Sequence, residues 1–257
     1  MWLRLRQIAL VAEKLAPIER QFSEVLGLHV VFRDKGVGAF GLENALFPLG
    51  NQFIEVVAPI RENTAGGRYL ERRGGDGGYM FITQCDEHAP RRKRVEELGV
   101  RIVNQFEREH FRNMQLHPKD TGGTFFEIDE QLGPGAHNPA GPWDPAGNDA
   151  EAAIDKRSDR VTGILAAEIQ ADKPTECAAR WSRIAELPVR SDGSGNPTIQ
   201  FGVVNLRFVP CTDGRPEGLA GLDLRCPDPA PVLAAARAIE AVRDGRIELG
   251  GMRIRLV

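Results

Sequence analysis

Apolar positions alternate in twos, then recur at helical spacing, then alternate again, and the chain repeats this exchange several times. Residues 3 to 12 predict a strand in which Leu3, Leu5, Gln7, Ala9 and Val11 share one face. Gln7 is the polar exception, and a buried amide needs a hydrogen-bonding partner or a ligand. Leu15, Ile18, Phe22, Val25 and Leu26 then fall at helical spacing, and Gly27 closes that helix. Strands are expected at 29–33, 39–48 and 52–58, with Gly36, Gly38 and Gly50-Asn51 as turns. The order returns with a short helix over 65–73, a strand at 79–85 and a helix at 89–98 closed by Gly99. Strands at 100–106, 113–116 and 123–128 complete it.

Residues 1 to 60 and 78 to 129 thus both read as βαβββ units. Residues 131–157 are rich in Pro, Gly, Asn and Asp and read as a linker, with Trp143 available to pin it to a surface. Beyond it come a strand at 163–170, a helix at 175–187 carrying Trp181, and strands at 198–201 and 203–209. A last unit has a strand at 219–225, an alanine-rich helix at 231–242 and strands at 246–249 and 252–257. Four units imply two domains, 1–130 and 158–257, of α+β class built from tandem βαβββ units.

Composition narrows the function without naming it. A formal charge of -3 leaves no electrostatic footprint for nucleic acid or an anionic membrane. Cys85, Cys177, Cys211 and Cys226 lack C-x-x-C spacing, so free thiols of a reducing compartment are expected. Arg4 and Arg6 precede an apolar run too short for a signal peptide, and no stretch approaches a membrane span. A soluble, cytoplasmic protein is the expectation.

The candidate chemistry centres on HPKDTGGTFFE, residues 117 to 127. Turn formers give way to Thr124, Phe125, Phe126 and Ile128, with Glu127 set inside the run. A carboxylate among buried aromatics costs several kcal/mol unless compensated, on the order of the general penalty for unpaired buried charge. Glu55, flanked by Phe53, Ile54, Val56 and Val57, poses the same demand. A metal ion is one candidate partner, and arginines are another.

The segments GRYLERRG, EELGVRIV and HPKDTGGTFFEI, together with FPLGNQFIEVVAP, resemble in order and spacing those of the vicinal oxygen chelate superfamily. This superfamily includes glyoxalases, bleomycin resistance proteins and extradiol dioxygenases, and the likeness is strongest to methylmalonyl-CoA epimerase-like proteins. It covers residues 1 to 130; the second half shares only the repeat order. The resemblance implies two glyoxalase-like domains with curved mixed sheets and a divalent metal (Zn, Mn, Co or Ni) held by one residue from each of four strands. By position those are Gln7, Glu55, Tyr79 and Glu127. Tyr79 stands where the superfamily usually has histidine, and a neutral phenol is a poor ligand, so the metal is open to being absent. His110 and His117 are candidate substrate-side residues, and His117 falls in a segment conspicuous in the epimerase-like pattern. Glu43 falls where that pattern can place a general base, beside Glu127 as the other candidate.

In the second half the equivalent positions are Ala166, Arg207, Ala220 and Arg255. Two arginines replace two carboxylates, so that domain has lost the site or holds an anion, and it stands in for a dimer's second subunit covering the first. The expected function is a metal-assisted isomerase, epimerase or lyase that forms an enediolate from a small carbonyl or thioester. The alternative is a metal-free protein that binds or sequesters a small hydrophobic or anionic molecule, either protein being a monomeric pseudo-dimer or a homodimer.

Overall fold

A computed structural model describes residues 1–147, 153, 156–243 and 245–257. The first domain has β1 (Leu3–Val11), α1 (Leu15–Gln21), β2 (Leu42–Leu49), β3 (Gln52–Pro59), α2 (Ala65–Arg73) and β4 (Gly77–Cys85). It continues with α3 (His88–Glu97), β5 (Ile102–Arg108), β6 (Phe111–Leu116) and β7 (Phe125–Gln131). Its seven strands form one mixed sheet in the order β2-β3-β1-β4-β7-β6-β5. The second domain has β8 (Gly163–Ala171), α4 (Pro174–Ala185), β9 (Val189–Ser191), β10 (Pro197–Phe201), β11 (Val204–Pro210) and β12 (Gly218–Arg225). It ends with α5 (Pro229–Ala238), β13 (Val242–Arg243), β14 (Arg246–Leu249) and β15 (Met252–Leu256). Its eight strands run β13-β14-β15-β12-β8-β11-β10-β9. The α+β class and the repeated units expected from the sequence are both present.

Two local expectations change. The helix expected over 15 to 26 is α-helical only to Gln21; Phe22–Leu26 widens into a π-turn that Gly27 ends at φ 66°. The strand expected at 29–33 is a single bridge from Phe32 to Leu46. Arg33 instead reaches out to both oxygens of Glu19, and Asp34 accepts from Gly36 N, starting a 3-10 turn over Lys35–Phe40. Part of the expected linker, 148–152 and 154–155, lies outside the described residues.

Bulges decide which side chains face which way. The β1–β4 register slips once between Leu5 and Gln7 and once between Ala9 and Leu10. Strict alternation would put Leu3, Leu5, Gln7, Ala9 and Val11 on one face. The extra residue at Arg6 moves Leu3 and Leu5 to the inner core with Ile8 and Leu10, while Ala9 and Val11 face outward. On β4 the extra residue is Tyr79, which thereby joins Met80 and Ile82 on the outer face instead of Phe81 in the core. The second sheet slips at the matching places, around Leu165 and Ala220. Counting along the two registers equates Glu55 with Arg207 and Glu127 with Arg255, and places Gln7 with Ala166 and Tyr79 with Ala220.

One continuous core joins the inner faces of both sheets with the helices between them. The second domain therefore packs behind the first sheet, and none of its residues joins the buried apolar cluster on that sheet's outer face. The sheets come closest where β4 crosses β12. A Cβ built on Gly78 would lie 2.5 Å from the Leu219 carbonyl oxygen and 2.6 Å from its Cβ. Gly78→Val should destabilise the protein by about 1–3 kcal/mol or more, the usual cost of overpacking, read as a lower urea midpoint. A midpoint unchanged from wild type would show that the strands can part without cost.

Candidate functional site

The outer face of the first sheet gathers the polar residues that the core excludes. Gln7 on β1, Glu55 on β3 and Asn44 on β2 form a buried chain. Gln7 Nε2 donates to Glu55 Oε2 at 2.9 Å, and Asn44 Nδ2 donates to Glu55 Oε1 at 2.7 Å. Trp143 Nε1 donates to Gln7 Oε1 at 3.1 Å, which fixes which way the Gln7 amide points, since indole nitrogen can only donate. Both Glu55 oxygens are satisfied by neutral amides, and among the described residues no guanidinium neutralises it. Burial raises its pKa, and the two amide bonds hold part of that rise back.

Across the sheet, β7 carries Glu127 and Asp129 on the same face, with β6 supplying Asn113 and Gln115 opposite. Asn113 Nδ2 donates to Asp129 Oδ1 at 2.8 Å. Glu127 Oε2 and Asp129 Oδ2 are both buried without a conventional donor. A proton shared between the two carboxyls satisfies both atoms. Burial raises the Glu127 pKa to about 7, offset by hydrogen bonding from Asp129, Gln115 and Asn113 and reinforced by the charge of Glu55. Burial and the neighbouring Glu127 charge hold the Asp129 pKa well above the carboxylate range, so the pair holds a proton between its two carboxyls. Glu55 and Glu127 thus lie on one face, close enough to influence each other.

Tyr79 completes the wall. Its ring meets Tyr69 at 4.8 Å and Phe125 at 4.9 Å, and burial pushes its phenol pKa upward, keeping it neutral. Tyr69 is tied off through its hydroxyl to Gly123 O at 2.6 Å, whereas the Tyr79 hydroxyl has no partner among the described residues. It is a free donor.

The remaining candidates stand elsewhere. Glu43 is exposed, and because its neighbour Asn44 points to Glu55, Glu43 points to the opposite side. His117 sits at the turn after β6, where its Nδ1 accepts from Lys119 N, among Arg101, Asp120 and Arg72. His110 lies exposed in the β5–β6 turn beside Glu109. Neither histidine joins the carboxyls. Asn44, Asn113 and Asp129 belong to the site although sequence reading passed over them. The period-two run Asn113–Gln115 against Glu127–Asp129–Gln131 is the signal for Asn113 and Asp129, and nothing in the sequence singles out Asn44.

What covers this face is the linker. Arg4 donates to His137 O and Asn138 O, both at 2.9 Å, Arg6 to Pro139 O and Gly141 O, and Gln84 Nε2 to Ala136 O at 2.8 Å. These bonds strap 136–141 down and deliver Trp143 against Phe111 and Gln7. Burial lowers the Arg6 pKa to about 9.

The donor set does not fit a divalent metal. The single Gln7 oxygen is taken by Trp143, both Glu55 oxygens accept amide protons, and Tyr79 is a neutral phenol. Among the described residues no three His, Cys, Asp or Glu side chains converge in a metal-holding group. The acidic dyad, not a chelate, is the chemically distinctive feature.

A family model described as a glyoxalase-like domain matches residues 8–185. No functionally curated protein matches the sequence. A solved hypothetical protein from Staphylococcus aureus shares the whole fold, at a TM-score of 0.66 over 99% of each chain and 9% identity. Streptomyces coelicolor methylmalonyl-CoA epimerase, solved with 2-nitronate-propionyl-CoA, aligns at 18% identity and a TM-score of 0.46, covering 52% of this chain and 100% of its own. The Mycobacterium tuberculosis epimerase aligns at 23% identity and 0.45, covering 51% of this chain and 89% of its own. No helix among the described residues is long and apolar enough to cross a membrane.

Proposed function

The chain belongs to the glyoxalase-like domain family of the vicinal oxygen chelate superfamily, and from that premise we propose that its first domain is an isomerase, epimerase or lyase moving a proton on a small carbonyl or thioester compound. The observation that carries this reading is the Glu127–Asp129 dyad, whose Glu127 pKa of about 7 suits a base at neutral pH. Ionised Glu127 takes the proton α to the carbonyl, and the electron pair moves onto the carbonyl oxygen. The Tyr79 hydroxyl, neutral and without a partner among the described residues, donates to that oxygen as charge builds on it. Return of the proton from Glu127 to the neighbouring carbon of the enediolate completes an isomerisation; an epimerisation is completed when a solvent proton arrives on the opposite face of the α-carbon and Glu127 releases its own to solvent. No step is assigned to a metal.

The second reading is a metal-free binding protein, favoured by the linker strapped over this face and by the aromatic wall of Tyr69, Tyr79 and Phe125. Incubation in deuterium oxide separates them. A panel of α-hydroxycarbonyl and acyl-thioester compounds, methylmalonyl-CoA among them, is followed by NMR for exchange of the α-proton. Exchange by wild type that falls by about 100-fold or more in Glu127→Gln, the lower end for losing a general base, supports the enzyme. A compound that binds wild type without exchanging its α-proton supports the binding protein instead.

A further inference from the structure

The outer face of the second sheet is built to the opposite plan. Where the first face is lined by carboxyls and roofed by the linker, the second lies open as a cleft of about 610 Å³. The cleft is lined by five arginines, Arg190, Arg207, Arg246, Arg253 and Arg255, against three carboxylates, Glu168, Asp192 and Asp223. The lining is therefore in excess of positive charge by two.

The guanidinium groups at its floor are held in place. Arg207 forks onto Asp223, at 2.6 and 2.9 Å, and reaches Glu168 at 3.4 Å. Arg255 binds the same Asp223 oxygen from the next strand. Arg253 spans Glu168 at 2.7 Å, Asp213 at 2.7 Å and Gln170 at 3.0 Å. Asp213 is in turn matched by Arg215. Asp223 thus works as a buried bracket that fixes two arginines side by side.

Donors remain after these bonds are counted. The Arg255 side chain is 62% exposed and spends one of its two terminal nitrogens on Asp223. Arg190 makes no ion pair among the described residues and lines the cleft from β9, at the far edge of the sheet. Planar guanidinium groups with free N–H donors match a carboxylate or phosphate. Thr198, Gln200 and Asn205 add neutral hydrogen-bonding groups suited to hydroxyls. A divalent cation would meet net repulsion, and an apolar ligand would strand these polar groups without partners.

We propose that the cleft of the second domain is a binding site for a small hydroxylated anion, a polyol or sugar derivative bearing a phosphate or carboxylate. The site is independent of the proton-transfer chemistry assigned to the first domain. Its volume is within the range usual for small-molecule sites.

Calorimetric titration of the full chain at low salt tests this with glycerol phosphate, gluconate, inorganic phosphate and uncharged glycerol. The expected result is binding of glycerol phosphate or gluconate with a Kd below about 1 mM, tighter than either inorganic phosphate or glycerol by about tenfold. Which of the two organic anions binds better identifies the charged group. Affinity should fall with added salt, and by tenfold or more in the Arg190→Gln/Arg255→Gln double variant. Both side chains are exposed enough for that variant to keep the wild-type melting temperature in the absence of ligand. A single Arg255→Gln variant serves the same purpose if the double variant melts early. Absence of binding by both organic anions, equal binding of inorganic phosphate, or full binding by a folded arginine variant would each overturn the proposal.

Discussion

Replacing Trp181 with alanine should cost about 3–5 kcal/mol of unfolding free energy, the range for large aromatics removed from a packed core. Trp181 projects from α4 of the second domain, yet its closest partner belongs to the first. It stacks on Phe126 of β7 at 4.2 Å with planes 13° apart and meets Phe81 of β4 edge-on at 5.7 Å. On its own side it touches Phe201 and Phe208. Its indole nitrogen donates to Thr121 O at 3.0 Å, so truncation also strands a carbonyl, adding about 1 kcal/mol. Trp181→Phe should recover most of the packing and lose the hydrogen bond. Because the ring joins both inner faces, the alanine variant is expected to unfold in urea at a lower midpoint but still in one transition. Two separated transitions would mean that the domains are stable apart, and a loss under about 1 kcal/mol would remove Trp181 from the shared core.

That role was half legible in the sequence. Trp181 falls in the repeat where Phe22 does, and helical spacing placed both on the buried side of their helices. Phe22 meets Phe47 within its own domain, at 5.3 Å, whereas Trp181 crosses to the other. Periodicity reports which side of an element is buried and is silent on what buries it. The same limit explains the outer face. Glu55 and Glu127 were found because a carboxylate inside an apolar run has to be accounted for, whichever neighbours it has. Asn44 and Asp129 escaped notice because a polar residue in alternation with apolar ones also describes an ordinary solvated face. Period-two alternation places Gln7 on the face of Leu3 and Leu5, and the bulge at Arg6 turns the two leucines to the other face. A bulge depends on the partner strand, so a single strand's pattern cannot show it. The straps told a similar story: Arg4 and Arg6 looked like charges flanking a short apolar run, and only the fold brings the carbonyls of 136–141 to them.

The Glu127→Gln variant should be more stable than wild type above pH 7 while being the less active protein. Glu127 has a folded-state pKa of about 7 against an ordinary value of 4.5. A carboxyl whose pKa is raised by folding gives its full stabilisation below the unfolded value and loses it as pH rises through the folded one. The window is therefore about pH 4.5 to 7, and the full loss is on the order of 3 kcal/mol at 1.36 kcal/mol per pK unit. Asp129 and Glu55 are shifted in the same direction, also mainly by burial, so they add to the fall. Asp120 is lowered to about 2 chiefly by its hydrogen bond from Arg101, and Asp213 to about 2 by hydrogen bonds from Gln170 and Arg215 that outweigh its burial, so their effect belongs to more acidic solution. Glutamine keeps the size and the hydrogen-bonding capacity of the side chain without the ionisation. Subtracting the two stability-versus-pH curves, measured by urea unfolding, should leave a difference that grows from near zero below about pH 4 to its limit above pH 7. Among the described residues no guanidinium or ammonium pairs with Glu127, and the hydrogen bonds from Asp129, Gln115 and Asn113 only partly offset the burial of its charge. A protein that accepts such a cost must draw something from the charge, and a base that gains its charge near neutral pH is what proton transfer requires. A flat difference curve would place Glu127 in a hydrated or otherwise compensated setting, and the dyad would then lose its claim to the chemistry.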